Sequence, residues 1–248
     1  MTEWWLFLAV GIAAQLVDGA LGMAFGVTAT TLMMSFGTPP AQVSAMVHIA
    51  EIFTTAASGA SHAYNRNIDW TIVRRIAIPG AIGGMIGATV LSNVDGKVIA
   101  PFVAGYLAIM GVVILIRALL KIIPREASWR GMPVIGLAGG LMDAIGGGGW
   151  GPIVTTTLIG NGHVARYVIG SVNLTEFLVT VVTSATFAIT LGWSDIAPVI
   201  PFIIGGLISA PFAGYLTKIA PMRLLMVMVG CLILVLSLRT LLKFAGWL

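Results

Sequence analysis

Along the chain, apolar residues gather into runs long enough to cross a bilayer core of about 30 Å. Six of them, at roughly 41 to 64, 71 to 92, 98 to 121, 164 to 191, 196 to 217 and 221 to 244, each predict one membrane-spanning helix. Two more, 4 to 36 and 133 to 160, are interrupted near the middle by glycine, in DGALGMAFG at 18 to 26 and DAIGGGGWGP at 143 to 152. The first covers 33 residues, which as one straight helix would be about 50 Å long and overshoot the membrane. Each is therefore expected to be a broken helix or a re-entrant hairpin.

The two halves of the chain repeat. Adding 125 to positions 11 through 55 aligns 13 identical residues without a gap, among them Gly11, Leu16, Asp18, Gly22, Gly26, Glu51 and Thr55 with Gly136, Leu141, Asp143, Gly147, Gly151, Glu176 and Thr180. After a slip of three, an offset of 122 aligns PGAIGGMIGA at 79 to 88 with PFIIGGLISA at 201 to 210, and RALLK at 117 to 121 with RTLLK at 239 to 243. Low complexity alone does not align two Asp, two Glu and paired Arg and Lys, so the chain is read as a fused duplication. The first membrane repeat covers 1–121, the linker 122–132 and the second membrane repeat 133–248. The predicted fold class is an all-α polytopic membrane protein of two homologous four-segment repeats, each opening with a glycine-broken segment.

Loop charge bears on how the repeats are related. If the broken runs cross fully, the repeats are parallel and the basic residues divide nine to four between the two sides. If they turn back, the repeats are inverted and the division is ten (Arg66, Arg74, Arg75, Arg117, Lys121, Arg125, Arg130, Arg166, Lys218, Arg223) to three (Lys97, Arg239, Lys243). The sharper asymmetry favours inverted halves, with both chain ends outside and the linker in the cytoplasm.

Composition strengthens the membrane reading. Of 248 residues, 58% are apolar and 9% charged, where a soluble domain carries about 25% charged residues. The chain needs lipid around it and is expected in the cell membrane as a multi-pass protein. That excludes a cytosolic enzyme, a disordered chain and, despite a net charge of +4, a nucleic-acid binder. Cys231 is the one cysteine, so neither an intramolecular disulfide nor a metal-binding cysteine cluster is available. The segment MTEWWLFLAVG has Glu3 and no basic residue ahead of its apolar run, and is read as part of the mature fold rather than a secretory signal. No cofactor and no metal are expected.

Four acids, Asp18, Asp143, Glu51 and Glu176, lie inside apolar runs, and none of the 13 Lys and Arg lies mid-span to neutralise them. An ionised carboxylate there costs on the order of 2.5 to 3.5 kcal/mol on insertion scales. These groups are expected to be protonated, hydrated in a cavity, or both; the plainer alternative sets them near the interface or as neutral hydrogen-bond donors between helices. Ser44, His48, Glu51, Thr55, Ser58 and His62 recur at three- and four-residue steps on one helix face, and Asn173, Glu176, Thr180 and Thr183 share the phase in the second repeat. Two polar stripes are thus expected to meet inside the bundle. His48 pairs by repeat with Asn173, whereas His62 and His163 are expected to be solvated.

Gly22 to Gly26 and Gly147 to Gly151 both match the G-x-x-x-G packing pattern, a reading that suits Gly80, Gly83, Gly84, Gly87, Gly205 and Gly206. The central clusters fit it less well. Four successive glycines at 146 to 149 should unwind a helix, and Gly151-Pro152 marks a new helix start. A helix beginning at mid-membrane turns free N–H groups and a positive dipole end toward the centre, which makes an anion site. No strand precedes these glycines and no Lys-Ser/Thr follows them, so they do not form a nucleotide loop.

The paired stretches DGALGMAFG and DAIGGGGWG, the eight apolar segments and GSVNLTEF at 170 to 177 resemble the TauE/SafE sulfite exporter family over essentially the whole chain. The resemblance implies multi-pass transport of sulfite, sulfonates or related small anions and no enzymatic activity. The function expected is a secondary transporter, an exporter of sulfite or a small organosulfonate, working by proton-coupled alternating access. Gly22, Gly26, Gly147, Gly148 and Gly151 would offer backbone N–H groups to the substrate, and Gln15, Thr28, His48, Trp150 and Asn173 would shape its pocket. Glu51 and Glu176, with Asp18 and Asp143 as second candidates, would carry protons. The partners are then a small sulfur-containing anion, protons and the lipid bilayer. A passive anion channel is the close alternative. An intramembrane aspartyl protease built on Asp18 and Asp143 is a remote one, because LVDGALG and LMDAIGG lack the Tyr-Asp and Gly-x-Gly-Asp settings of such enzymes.

Overall fold

A computed structural model describes residues 2–21, 24–119, 128–192, 199–219 and 222–247, all of whose regular elements are helical. In order these are α1 (Thr2–Leu21), α2 (Phe25–Ser35), α3 (Pro40–Tyr64), α4 (Trp70–Asn93), α5 (Gly96–Leu119), α6 (Met132–Gly146), a π-helical turn (Gly151–Thr155) running into α7 (Thr156–Gly160), α8 (Ala165–Leu191), α9 (Val199–Ile219) and α10 (Met222–Phe244). The six unbroken apolar runs become α3, α4, α5, α8, α9 and α10. Among the described residues, four helices within these bounds are both long and apolar enough to cross a membrane, at 70–93, 96–119, 166–191 and 226–244. Ile78, Phe102, Ile109, Ile189 and Val235 stand exposed on their outer faces, as lipid-facing residues must. The protein is therefore an all-α, multi-pass membrane protein. The polar stripe makes α3 less apolar, and its stripe residues are mostly buried.

Local chemistry sets the ends. The Asp69 carboxylate accepts the Thr71 N–H at 2.8 Å and caps α4. Gly131, at φ 77°, precedes α6 with a proline in its first turn, and Gly147, at φ 61°, closes it by donating to the Asp143 carbonyl. Neither arm of the second broken run spans the membrane alone, since 15 residues of α6 and 10 from Gly151 to Gly160 reach only about 22 and 15 Å. The two arms fold back on each other. Ser128, ahead of α6, donates its N–H to the Asn161 carbonyl at 3.0 Å, and its own carbonyl meets His163 Nε2 at 2.9 Å. Farther in, Gly139 lies against Val154. The run is a helical hairpin. His163, expected to be solvated, is instead buried, because its ring closes the hairpin mouth edge-on against Trp129 at 4.6 Å.

Helix directions follow from which residues meet. Along α3 and α8, His48 faces Phe187, Gly59 faces Leu174, and Asn65 accepts from Arg166, so the two run antiparallel. In α5 and α10, Gly111 meets Gly230, while Lys97 shares a cavity with Arg239 and Lys243, again antiparallel. The hairpin docks on α4 with bare backbones in contact: a Cβ on Gly83 would strike the Leu137 carbonyl, and one on Gly140 the Gly80 carbonyl. Packing is thus what the glycines of α4 do.

Candidate transport site

A cavity of about 250 Å³ lies in the centre of the bundle. It is walled by Gln15 of α1, Gly26 of α2, Glu51 and Ser58 of α3, Gly149 and Gly151 at the hairpin tip, and Asn173 and Glu176 of α8. The polar faces of α3 and α8 thus open into one space, bounded by both glycine breaks. The breaks touch: a Cβ on Gly148, whose φ is 140°, would land on the backbone of Gly26 and Val27. Only glycine lets these backbones cross so closely. Thr30 donates to the Gly147 carbonyl, and Tyr106 of α5 to the Gly148 carbonyl at 3.1 Å.

Behind the cavity wall lies a buried polar group. His48 is wholly buried, with Nδ1 2.7 Å from the Ser44 carbonyl and Nε2 3.2 Å from Asp143 Oδ2. A carbonyl accepts only, so Nδ1 carries a proton. Nε2 and the carboxylate can then bond only if one further proton sits on one of them. The pair is either imidazolium with carboxylate or neutral imidazole with carboxylic acid, and it holds one shared proton in both forms. Asp143 Oδ1 accepts the Trp150 N–H at 2.9 Å, and its carbonyl takes the N–H of Gly148 at 3.1 Å. This residue ties together the end of one half-helix and the start of the next. Glu51 belongs to both groups: it lines the cavity, and its carboxylate comes within 4.8 Å of the ligand atoms of His48 and Asp143. Three such groups could bracket a small cation, but the His48–Asp143 bond already occupies two of them, and a shared proton describes them better.

Of the residues singled out in the sequence, Gln15, Gly26, Glu51, Gly151, Asn173 and Glu176 line the cavity. Gln15 is buried, and its Oε1 has no hydrogen-bond partner among the described residues. Thr28, His48, Asp143, Gly147, Gly148 and Trp150 are buried around the cavity rather than in its lining. Trp150 packs its indole against Gly80 and Gly139 and donates Nε1–H to the Val172 carbonyl at 3.3 Å. Gly22 lies outside the described residues, as does the side chain of Asp18. His62, expected to be solvated, lines the cavity, because the end of α3 is covered by α8. Phe25, Gly149 and Pro152 also line it; Phe25 is the repeat partner of Trp150, and that signal was available in the sequence. Tyr106 carried none. The bonds at Asp143 leave it turned from the cavity, which does not suit a catalytic carboxylate dyad.

Membrane-spanning helices packed around a polar cavity, with broken helices at its wall, define a polytopic membrane transport protein. The chain matches the sulfite exporter TauE/SafE family over residues 7–240, and it belongs to that family. It is 40% identical to a Bacillus subtilis (strain 168) protein named probable membrane transporter protein YtnM, in an alignment covering 96% of this chain and 82% of that one. No solved structure matches it. These relationships are to membrane transporters, not enzymes.

Proposed function

We propose that the protein exports sulfite or a small organosulfonate by alternating access, with proton movement coupled to the anion. The observation that carries this reading is the central cavity. Its volume of about 250 Å³ falls below the roughly 300–1,000 Å³ of pockets for drug-sized ligands and suits a small anion. Its charge supports coupling. Two half-helix starts face it, at Phe25 and Gly151, each worth roughly +0.5 of a charge. Against them stand Glu51 and Glu176, with no Lys or Arg in the lining, and Asp143 already bonds the second start through Trp150. An anion added between two ionised carboxylates would be repelled at short range and low dielectric. At least one carboxyl must therefore hold a proton when the anion binds, so acid on the loading side favours transport.

The architecture proposed for this cycle is a pair of inverted repeats, 1–121 and 133–248. Helices related by an axis in the membrane plane run in opposite directions, as α3 and α8 do, and as α5 and α10 do. An axis along the membrane normal would leave them parallel. The hairpin returning to its own side supports the same reading, with ten basic residues on the linker side against three and the linker cytoplasmic.

Thermal unfolding of the purified protein with sulfite, isethionate or chloride tests the substrate class. A ligand at 100 times its Kd stabilises the native state by about 2.7 kcal/mol, so sulfite or isethionate should raise the melting temperature where chloride at equal concentration does not. No shift with either sulfur anion would contradict the assignment.

A further inference from the structure

Both repeats end on one five-residue pattern, RALLK at 117 to 121 and RTLLK at 239 to 243, which the transport cycle leaves unused. In α10 the spacing of four sets Arg239 and Lys243 on one helix face. That face lines a second cavity of about 610 Å³, enclosed by the end of α2 and its loop to α3, the start of α5 and the end of α10. Lys97 enters it from α5. These three are all the basic residues that the inverted topology places on the outer side. Among the described residues, none of them pairs with a carboxylate. Asp95 lines the same cavity and accepts the Lys97 backbone N–H at 2.7 Å through one carboxylate oxygen, so three positive charges face one negative charge there.

Helix dipoles do not explain the cluster. Arg239 and Lys243 suit the C-terminal end of α10, but Lys97 stands in the first turn of α5, where a cation opposes the dipole. Asp95 at the same helix start offsets that only in part, and an anion held among the three cations would offset it further. The walls name the kind of anion: Met34, Pro39, Pro40, Ala100 and Phe244 are apolar. On the flanking helices, Val98 and Phe102 of α5 and Leu238 and Leu242 of α10 are exposed to lipid. Exposed cations hold a small hydrated oxyanion weakly, because water and salt screen them, whereas an acyl chain gains from apolar walls at about 0.8 kcal/mol per buried CH₂. We propose that this cavity is an anionic-phospholipid site, its phosphate among Lys97, Arg239 and Lys243 and its acyl chains along the α5–α10 seam. The site stands independently of the substrate assigned to the central cavity.

The test places the full-length protein in nanodiscs of phosphatidylcholine, with or without a minority of phosphatidylglycerol, and reads retained lipid by native mass spectrometry and stability by thermal unfolding. The wild type should retain phosphatidylglycerol and melt higher in its presence. Each cation removed by Lys97→Gln, Arg239→Gln or Lys243→Gln should lower retention about fivefold, and Arg239→Lys should preserve it. If the triple variant fails to assemble, single Lys97→Gln, at an exposed position, carries the same expectation. Retention equal to wild type in the Gln variants would overturn the proposal. So would equal stabilisation by inorganic phosphate or sulfate in pure phosphatidylcholine, since the ligand would then be a small anion.

Discussion

Glu51 and Glu176, which the 125-residue offset aligns in sequence, line the same cavity, yet their surroundings differ. Glu51 is buried and has His48 and Asp143 within reach, a pair holding one shared proton behind the cavity wall. Glu176 is only half-buried. Its neighbour Asn173, three residues before it as His48 is before Glu51, donates its amide to the Ile169 carbonyl of its own helix. The two carboxyls thus meet one cavity in different settings: Glu51 adjoins the buried His48–Asp143 pair, whereas Glu176 stands beside an amide that also lines the cavity.

The largest effect should come from the crossing of the glycine breaks, on which both arms depend. Gly148→Val adds a Cβ where the backbone of Gly26 and Val27 already stands, at a positive φ. Strain and overpacking of about 3 kcal/mol or more are expected, read as loss of a monodisperse peak in size-exclusion chromatography. Gly151→Leu differs, because this residue lines the cavity. The expected result is an assembled protein that no longer shows sulfite-dependent thermal stabilisation. Asp143→Ala sharpens the contrast between the arms. It removes the carboxylate that joins His48 to the Trp150 N–H, leaves both partners buried and unpaired, and should cost about 3 kcal/mol in thermal unfolding. Asn173→Ala, in the arm without such a pair, should cost about 1 kcal/mol or less.

Much of the fold was legible because apolar runs of spanning length leave a helix few alternatives. Length alone showed that 4 to 36 could not be one straight span. Contacts between distant segments were hidden. His48 and Asp143 are 95 residues apart and meet only because the hairpin tip docks beside α3. Trp150 was expected to shape the pocket. Its ring turns away, since Gly80 and Gly139 leave a slot on the side facing α4. His163 was misjudged because a loop residue looks solvated until the element that covers it is known.

If Glu51 links proton movement to the anion, flux under an imposed pH gradient must depend on its carboxyl. Sulfite flux should be measured in proteoliposomes for wild type, Glu51→Gln and Glu176→Gln. The expected result is that acid on the loading side speeds wild-type flux, that Glu51→Gln loses most of the flux and its pH dependence, and that Glu176→Gln keeps the pH dependence while binding sulfite more weakly. Equal, pH-independent flux in wild type and Glu51→Gln would contradict the claim and identify a passive anion channel.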